Sequence, residues 1–261
     1  MRCRYREKII RYGDYMDVSI YPVFSTKFKN GRRSKFRPSS DGQAALNRWN
    51  SVQKLHRLIA ANMTSKDIKC ELTYKTEPES LEQAEKNVYN FFRRMKRLYA
   101  KRGLPEFKYF SRIEQGKKSG RFHHHIIITG GILPQELAEI WGLGYVRRVQ
   151  PLQFGQTGVD GLAGYYCGFK KGDEIEDSIT YKRWSCSKNM IKPEEPKPND
   201  YRYTQKQVKE LNSVKDDYRE LEKLYPGYFC GAVLSLNDIN PFNDGYYLTM
   251  RFYKKNAKLT Y

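Results

Sequence analysis

The chain has 261 residues, with 48 Lys and Arg against 29 Asp and Glu, a formal net charge of +19, and 21 tyrosines and 13 phenylalanines interleaved with the cations. Such a chain suits a polyanion with unpaired bases, because Lys and Arg neutralise phosphates while exposed rings stack on bases. No run approaches the ~18 apolar residues of a membrane span, and the start Met1-Arg2-Cys3-Arg4-Tyr5-Arg6 lacks the apolar stretch of a secretory signal. The five scattered cysteines, Cys3, Cys70, Cys167, Cys186 and Cys230, argue against a disulfide framework, so a soluble intracellular protein with no membrane partner is expected.

In chain order, the first 35 residues alternate aromatic and polar positions and then dissolve into a basic run from Lys27 to Lys35, which predicts a small hairpin and a basic loop. Apolar residues at three- and four-residue steps predict an amphipathic helix from Ser40 to Ala61. Ile68 to Tyr74 alternates as a strand, with Ile68, Cys70, Leu72 and Tyr74 on one face. A long helix is expected from Ser80 to Lys101, turning Val88, Phe91, Phe92, Met95 and Leu98 inward and the cluster Arg93-Arg94-Met95-Lys96-Arg97 outward. A strand from Phe107 to Ile113 then delivers Glu114, and Gly116-Lys117-Lys118-Ser119-Gly120 has the glycine spacing of a hairpin loop.

The next strand begins Arg121-Phe122-His123-His124-His125-Ile126-Ile127-Ile128. Period-two alternation sends His123 and His125 to one face and His124 to the other, so two imidazoles converge and Glu114 meets them across the ladder. Two imidazoles and one carboxylate leave open positions on a divalent cation, the pattern of a catalytic rather than a closed structural site. The bland alternatives are a core histidine or histidines set against phosphate, but the paired spacing with a carboxylate favours metal. Neither His-Glu-x-x-His nor Cys-x-x-Cys competes. Further on, a short helix is expected from Pro134 to Trp141, a strand around Tyr145 to Val149, and a helix from Asp160 to Lys171 with the stripe Leu162, Tyr165, Tyr166 and Phe169. The order describes an α+β domain with a central antiparallel sheet and helices mainly on one face.

Several motifs in order resemble the rolling-circle replication initiators of the HUH endonuclease superfamily, nearest those of small single-stranded DNA phages and related bacterial plasmids and prophages. They are Phe36-Arg37-Pro38 with the following helix, Glu71-Leu72-Thr73-Tyr74-Lys75, Asn90 to Arg97, Glu114-Gln115-Gly116 with Gly120-Arg121-Phe122-His123-His124-His125, Leu162-Ala163-Gly164-Tyr165, and Arg183 to Pro193. The resemblance implies an RRM-like or palm-like endonuclease domain over 36–193, flanked by an N-terminal β extension over 1–35 and a C-terminal helix and hairpin over 194–261. It implies Mg²⁺ or Mn²⁺ held by Glu114, His123 and His125. A tyrosine would attack the scissile phosphate of single-stranded origin DNA, leaving a 5′-phosphotyrosine and a free 3′-hydroxyl, and reversal would rejoin ends.

Tyr165 aligns best as the nucleophile through its preceding Leu-Ala-Gly. Tyr166 is the alternative, with Lys170 at i+4 as a phosphate partner in place of the lysine that relatives carry one turn on, where this chain has Gly168. Arg93, Arg94, Lys96, Lys117, Lys118 and Arg121 are the expected DNA contacts. No Gly-x-x-x-x-Gly-Lys-Ser/Thr loop is present, so a host helicase would unwind the duplex and a host polymerase extend the primer, in the cytoplasm of a bacterial cell. Competing readings are a transposase or mobilisation relaxase of the same superfamily, a metal-dependent phosphodiesterase using activated water, and a non-enzymatic single-strand-binding protein. Relaxases usually add a third histidine, for which only His56 is available. In the C-terminal part, Thr204 to Tyr225 reads as a charged helix and Tyr228 to Tyr253 as a hairpin around Asn237 to Pro241.

Overall fold

A computed structural model describes residues 4–23, 41–116, 119–168, 184–234 and 245–260. Chain contacts divide it into two compact units, one of residues 51–154 and 159–191, the other of residues 1–50, 155–158 and 192–261. The elements in order are β1 (Arg4–Tyr12), β2 (Tyr15–Val23), α1 (Asp41–Asn62), β3 (Ile68–Thr73), α2 (Leu81–Lys101), β4 (Tyr109–Gln115), β5 (Phe122–Ile128), α3 (Pro134–Trp141), β6 (Val146–Pro151), α4 (Asp160–Tyr166), β7 (Ser185–Cys186), β8 (Asn199–Tyr203), α5 (Gln205–Ser213), α6 (Tyr218–Lys223), β9 (Tyr228–Val233) and β10 (Leu248–Lys254). With two antiparallel five-stranded sheets and these helices, the fold is α+β as expected.

The first of the two units carries the sheet β6-β3-β5-β4-β7. Alternation along β3 turns Cys70 and Leu72, with Tyr74 just beyond, onto the same core as Ile126 and Ile128 of β5 and Ala84, Val88, Phe91, Phe92, Met95 and Tyr99 of α2. Helix α2 starts where Ser80, in extended conformation, accepts from the Gln83 N–H through its hydroxyl. Proline at its first position opens α3, and Gly142 closes it with φ +65, a left-handed cap that glycine adopts without strain. Trp141, fully buried, donates its indole N–H to the Thr73 carbonyl at 2.8 Å. The chain after α3 hugs β3: Thr73 N–H donates to Tyr145 O and Lys75 N–H to Leu143 O. A Cβ at Gly144 would land on the Thr73 carbonyl, so only glycine permits this approach and the register of β6 that follows.

The other unit carries the sheet β8-β1-β2-β10-β9. The hairpin β1–β2 turns at Gly13, which has φ +54. The hairpin β9–β10 forms as expected, and β10 pairs with β2 while β8 pairs with β1. The two chain extensions, read from sequence as separate pieces, therefore share one sheet and one core, with Tyr5, Val18, Ile20, Tyr203, Val208, Leu221, Met250 and Phe252 among its buried residues. The single helix expected from Thr204 to Tyr225 is two, α5 and α6, because Asp217 caps a new start by accepting from the Arg219 N–H. Arg251 and Asp17, both fully buried and facing each other across β10 and β2, form an ion pair at 2.8 Å, and the Tyr12 hydroxyl donates to Asp17 at 2.6 Å.

The expected basic loop of Lys27 to Lys35, the Phe36-Arg37-Pro38 motif and the Asn237 to Pro241 turn lie outside the described residues. So do the end of the Asp160 to Lys171 helix and residues 169–183. No helix among the described residues is long and apolar enough to cross a membrane. Cys70, Cys167, Cys186 and Cys230 are free thiols.

Candidate active site

Cross-strand pairs build the site on the face of the β6-β3-β5-β4-β7 sheet that looks away from α2. Thr73, His123 and Glu114 stand opposite one another in one row, and Glu71, His125 and Arg112 in the next. Directly opposed residues share a face. His124 points the other way, into the core, where it is fully buried. Its Nε2 lies 2.7 Å from the Tyr74 hydroxyl and Trp141 meets it edge-on. Burial pushes the His124 imidazole down to about 3, so it stays neutral.

Glu114 and the two outward histidines converge. Nε2 of His123 and Nε2 of His125 each lie 3.2 Å from Oε2 of Glu114, and the three ligand atoms fall within 4.8 Å of one another. Two nitrogen donors pointed at one carboxylate oxygen repel as neutral acceptors, so in the absence of metal at least one imidazole must carry a proton toward Glu114. A divalent cation replaces that proton naturally, and two imidazoles with one carboxylate leave further coordination positions open. His123 Nδ1 faces the Arg121 carbonyl at 3.4 Å, the type of outer contact that turns Nε2 toward a metal. The residues thus fit a divalent cation.

Charge follows the geometry. Burial alone would raise the Glu114 carboxyl, but hydrogen bonds from His123 and His125, with the charge of Arg112, hold it well below its ordinary value. The same Glu114 contact raises the His123 imidazole. Arg112, itself buried, donates from Nη2 to Glu114 Oε1 at 2.8 Å and from Nη1 to the Tyr165 carbonyl, linking the triad to α4.

Helix α4 supplies the phenol. The Tyr165 hydroxyl lies 3.0 Å from His125 Nε2, with the rings edge to face at 5.0 Å. Burial, together with the nearby Glu114 charge, pushes this phenol up to about 12. Tyr166 points into the core, 2% exposed, and burial raises its phenol well above the ordinary value. The start of α4 is held by His56 of α1, fully buried, whose Nδ1 lies 3.0 Å from Asp160 Oδ1. His56 thus lies with Asp160 and outside the three-residue metal-ligand group.

Beside the triad is a cavity of about 340 Å³, bordered by Lys69, Glu71 and His125 of the sheet, Arg148 and Gln150 of β6, and Gly161, Leu162, Tyr165 and Tyr166 of α4. On its rim β6 carries a bulge: Lys69 pairs with Gln150 and Glu71 with Arg147, so Arg148 and Val149 together stand opposite Cys70. Arg148 is the non-glycine residue with positive φ, at +52. That conformation costs an L-residue roughly 1–2 kcal/mol, whereas its ion pair with Glu71, at 3.6 Å and with the Arg148 side chain 78% exposed, belongs to a class worth ~0–1 kcal/mol.

The expected DNA contacts are spread out. Arg93 and Lys96 are exposed on α2, across the sheet from the triad. Arg94 donates to the carbonyls of Ile140 and Trp141 at the end of α3. Arg121 donates to Glu77 and to the Tyr74 carbonyl beside the triad strand. Lys117, Lys118 and Lys170 lie outside the described residues. Sequence reasoning overlooked Arg112, although its place two residues before Glu114 on one strand puts both on one face. It also overlooked Arg148, which no periodicity marks, since the bulge alone aims it.

Sheet, triad and facing tyrosine define an α+β domain organised around a site able to hold a divalent cation. Residues 68–192, just under half of the chain, match the family model for the replication-associated protein ORF2, and over that segment the protein belongs to this rolling-circle replication initiator family. The matched segment contains Glu114, His123, His125, Tyr165, Arg112 and Arg148. No curated protein and no solved structure matches the chain.

Proposed function

We propose that the protein starts replication by cutting one strand of origin DNA with Tyr165 as the nucleophile, a metal-dependent tyrosine transesterase acting as both nickase and ligase. The observation that carries this reading is the 3.0 Å approach of the Tyr165 hydroxyl to His125, beside three convergent metal-ligating side chains.

A divalent cation, Mg²⁺ or Mn²⁺, held by Glu114, His123 and His125 would supply Lewis-acid polarisation of the scissile phosphate. Tyr165 Oη forms a bond to phosphorus, the bond from phosphorus to the 3′-oxygen breaks, and that oxygen takes up a proton. The products are a 5′-phosphotyrosine and a free 3′-hydroxyl. The phenol must lose its own proton first. Burial and Glu114 oppose this, whereas the guanidinium charges of Arg112 and Arg148 favour the phenolate. Arg112 also fixes the backbone carbonyl of Tyr165, which limits the wandering of the attacking oxygen. Because the covalent link keeps the phosphodiester energy, a 3′-hydroxyl attacking the phosphotyrosine rejoins the strand.

Tyr166 is the weaker candidate because its ring is buried. Arg93, Lys96 and Arg121, with Lys117, Lys118 and Lys170, are proposed to add phosphate contacts along the strand, and a host helicase and polymerase to open and copy the duplex. The test is a denaturing gel of the protein with a labelled single-stranded oligonucleotide from a stem-loop next to its gene, in Mn²⁺. A covalent adduct that EDTA prevents supports the reading. Cleavage without adduct, or a native-gel shift with neither, overturns it.

A further inference from the structure

The strained residue on the cavity rim has no adequate structural reason for its strain. Arg148 holds φ +52 at a bulge, and the exposed, loose pair with Glu71 returns less than that backbone conformation costs. Glycine would fit the same backbone without penalty, so an arginine there is retained against stability, the pattern of a side chain kept for binding. The bulge has the effect such irregularities have beside active sites, which is to re-aim one side chain. It turns the guanidinium over a cavity that Tyr165 and His125 border on the opposite side. Lys69 and Gln150 line the same cavity, adding a second cation and an amide hydrogen-bond donor. A forked guanidinium, an ammonium and an amide around a space next to a nucleophile match the oxygens of a phosphodiester.

We propose that Arg148, with Lys69 and Gln150, binds the DNA phosphate next to the scissile one and so seats a single strand in the cavity against Tyr165. Arg148 is on this account a positioning residue. The proposal rests on the reading of Tyr165 as nucleophile for its purpose, but the binding it describes needs neither the metal nor the phenol.

The experiment measures binding of a dye-labelled oligodeoxythymidylate to the full chain by fluorescence anisotropy in EDTA, over a range of salt concentrations, for wild type, Arg148→Gly and Arg148→Lys. The expected result is that Arg148→Gly melts no lower than wild type yet loses about 0.7 from the slope of log affinity against log salt, the amount for one single-strand phosphate contact. Arg148→Lys, which keeps the charge, retains the slope. A slope unchanged in Arg148→Gly overturns the proposal, as does a slope that falls equally in a Lys206→Ala control, whose exposed ammonium on α5 belongs to the other compact unit. Failure of the nucleophile reading looks different: the slope change would persist while wild type formed no covalent adduct in Mn²⁺.

Discussion

Arg112 donates from one guanidinium nitrogen to the backbone carbonyl of Tyr165 and from the other to Oε1 of Glu114. One planar side chain therefore spans the metal-ligand group and the nucleophile helix, and neither lysine nor glutamine can make both contacts from that position. Arg112→Lys should lower the rate of covalent adduct formation by about 100-fold through misplacement of the phenol, while a Mn²⁺-induced rise in melting temperature persists. Loss of the Mn²⁺ effect as well would assign Arg112 to holding Glu114 alone.

The triplet of histidines separates into two functions. His123→Ala and His125→Ala should abolish both the adduct and the stabilisation by Mn²⁺, which for an intact site reaches about 2.7 kcal/mol at a hundred times the dissociation constant. His124→Ala should keep the Mn²⁺ response but destabilise the metal-free fold by roughly 2–3 kcal/mol, because the buried Tyr74 hydroxyl loses its 2.7 Å partner and a cavity opens. Thermal melts with and without Mn²⁺ distinguish the two patterns.

Tyr165→Phe keeps the ring and removes only the attacking oxygen, so folding and DNA affinity should survive and the adduct vanish. Tyr166→Phe changes a buried ring and should retain most of the adduct, with a stability change within about 1 kcal/mol. Mass mapping of the nucleotide-bearing peptide checks both. A nucleotide on Tyr166 would sink the assignment and bring Lys170 forward as the phosphate partner.

In metal-free protein the triad should make stability depend on pH from both sides. Glu114 is held below its ordinary 4.5, so it contributes stability above that value that is lost as pH falls below it. His123 is raised above its ordinary 6.5, so its contribution is complete below 6.5 and is lost as pH rises through the higher folded value. Metal binding runs the opposite way with His123, since it requires the neutral imidazole, and Mn²⁺ affinity should climb over that same upper range. Urea melts across pH 3 to 9 for wild type and Glu114→Gln provide the check; the same pH profile in both would refute the assignment.

The other unit has its own test in Asp17 and Arg251. Removing one partner of a fully buried pair leaves an uncompensated charge, so Asp17→Ala should cost about 3–5 kcal/mol, and replacing both residues by apolar ones should recover much of that loss. Denaturant unfolding of single and double variants measures the coupling, and additive losses would contradict it.

Much of the site was legible in the sequence because it depends on periodicity two. Alternation alone separates His123 and His125 from His124, and the glycine-bounded loop sets Glu114 opposite His123, where the strands pair them. The three-and-four spacing of apolar residues located α1, α2 and α3 to within a residue or two, since each buries one stripe. What lay beyond reach depends on contacts distant along the chain. That β1, β2 and β10 join β8 and β9 in one sheet follows from the pairing of strands more than two hundred residues apart, which no local pattern encodes. The choice of Tyr165 over Tyr166 as the phenol beside His125 depends on how α4 is rotated over the sheet, through Arg112 on one side and His56 against Asp160 on the other. The aim of Arg148 depends on one extra residue in β6, a bulge that local sequence leaves unmarked and that only the pairing with β3 reveals.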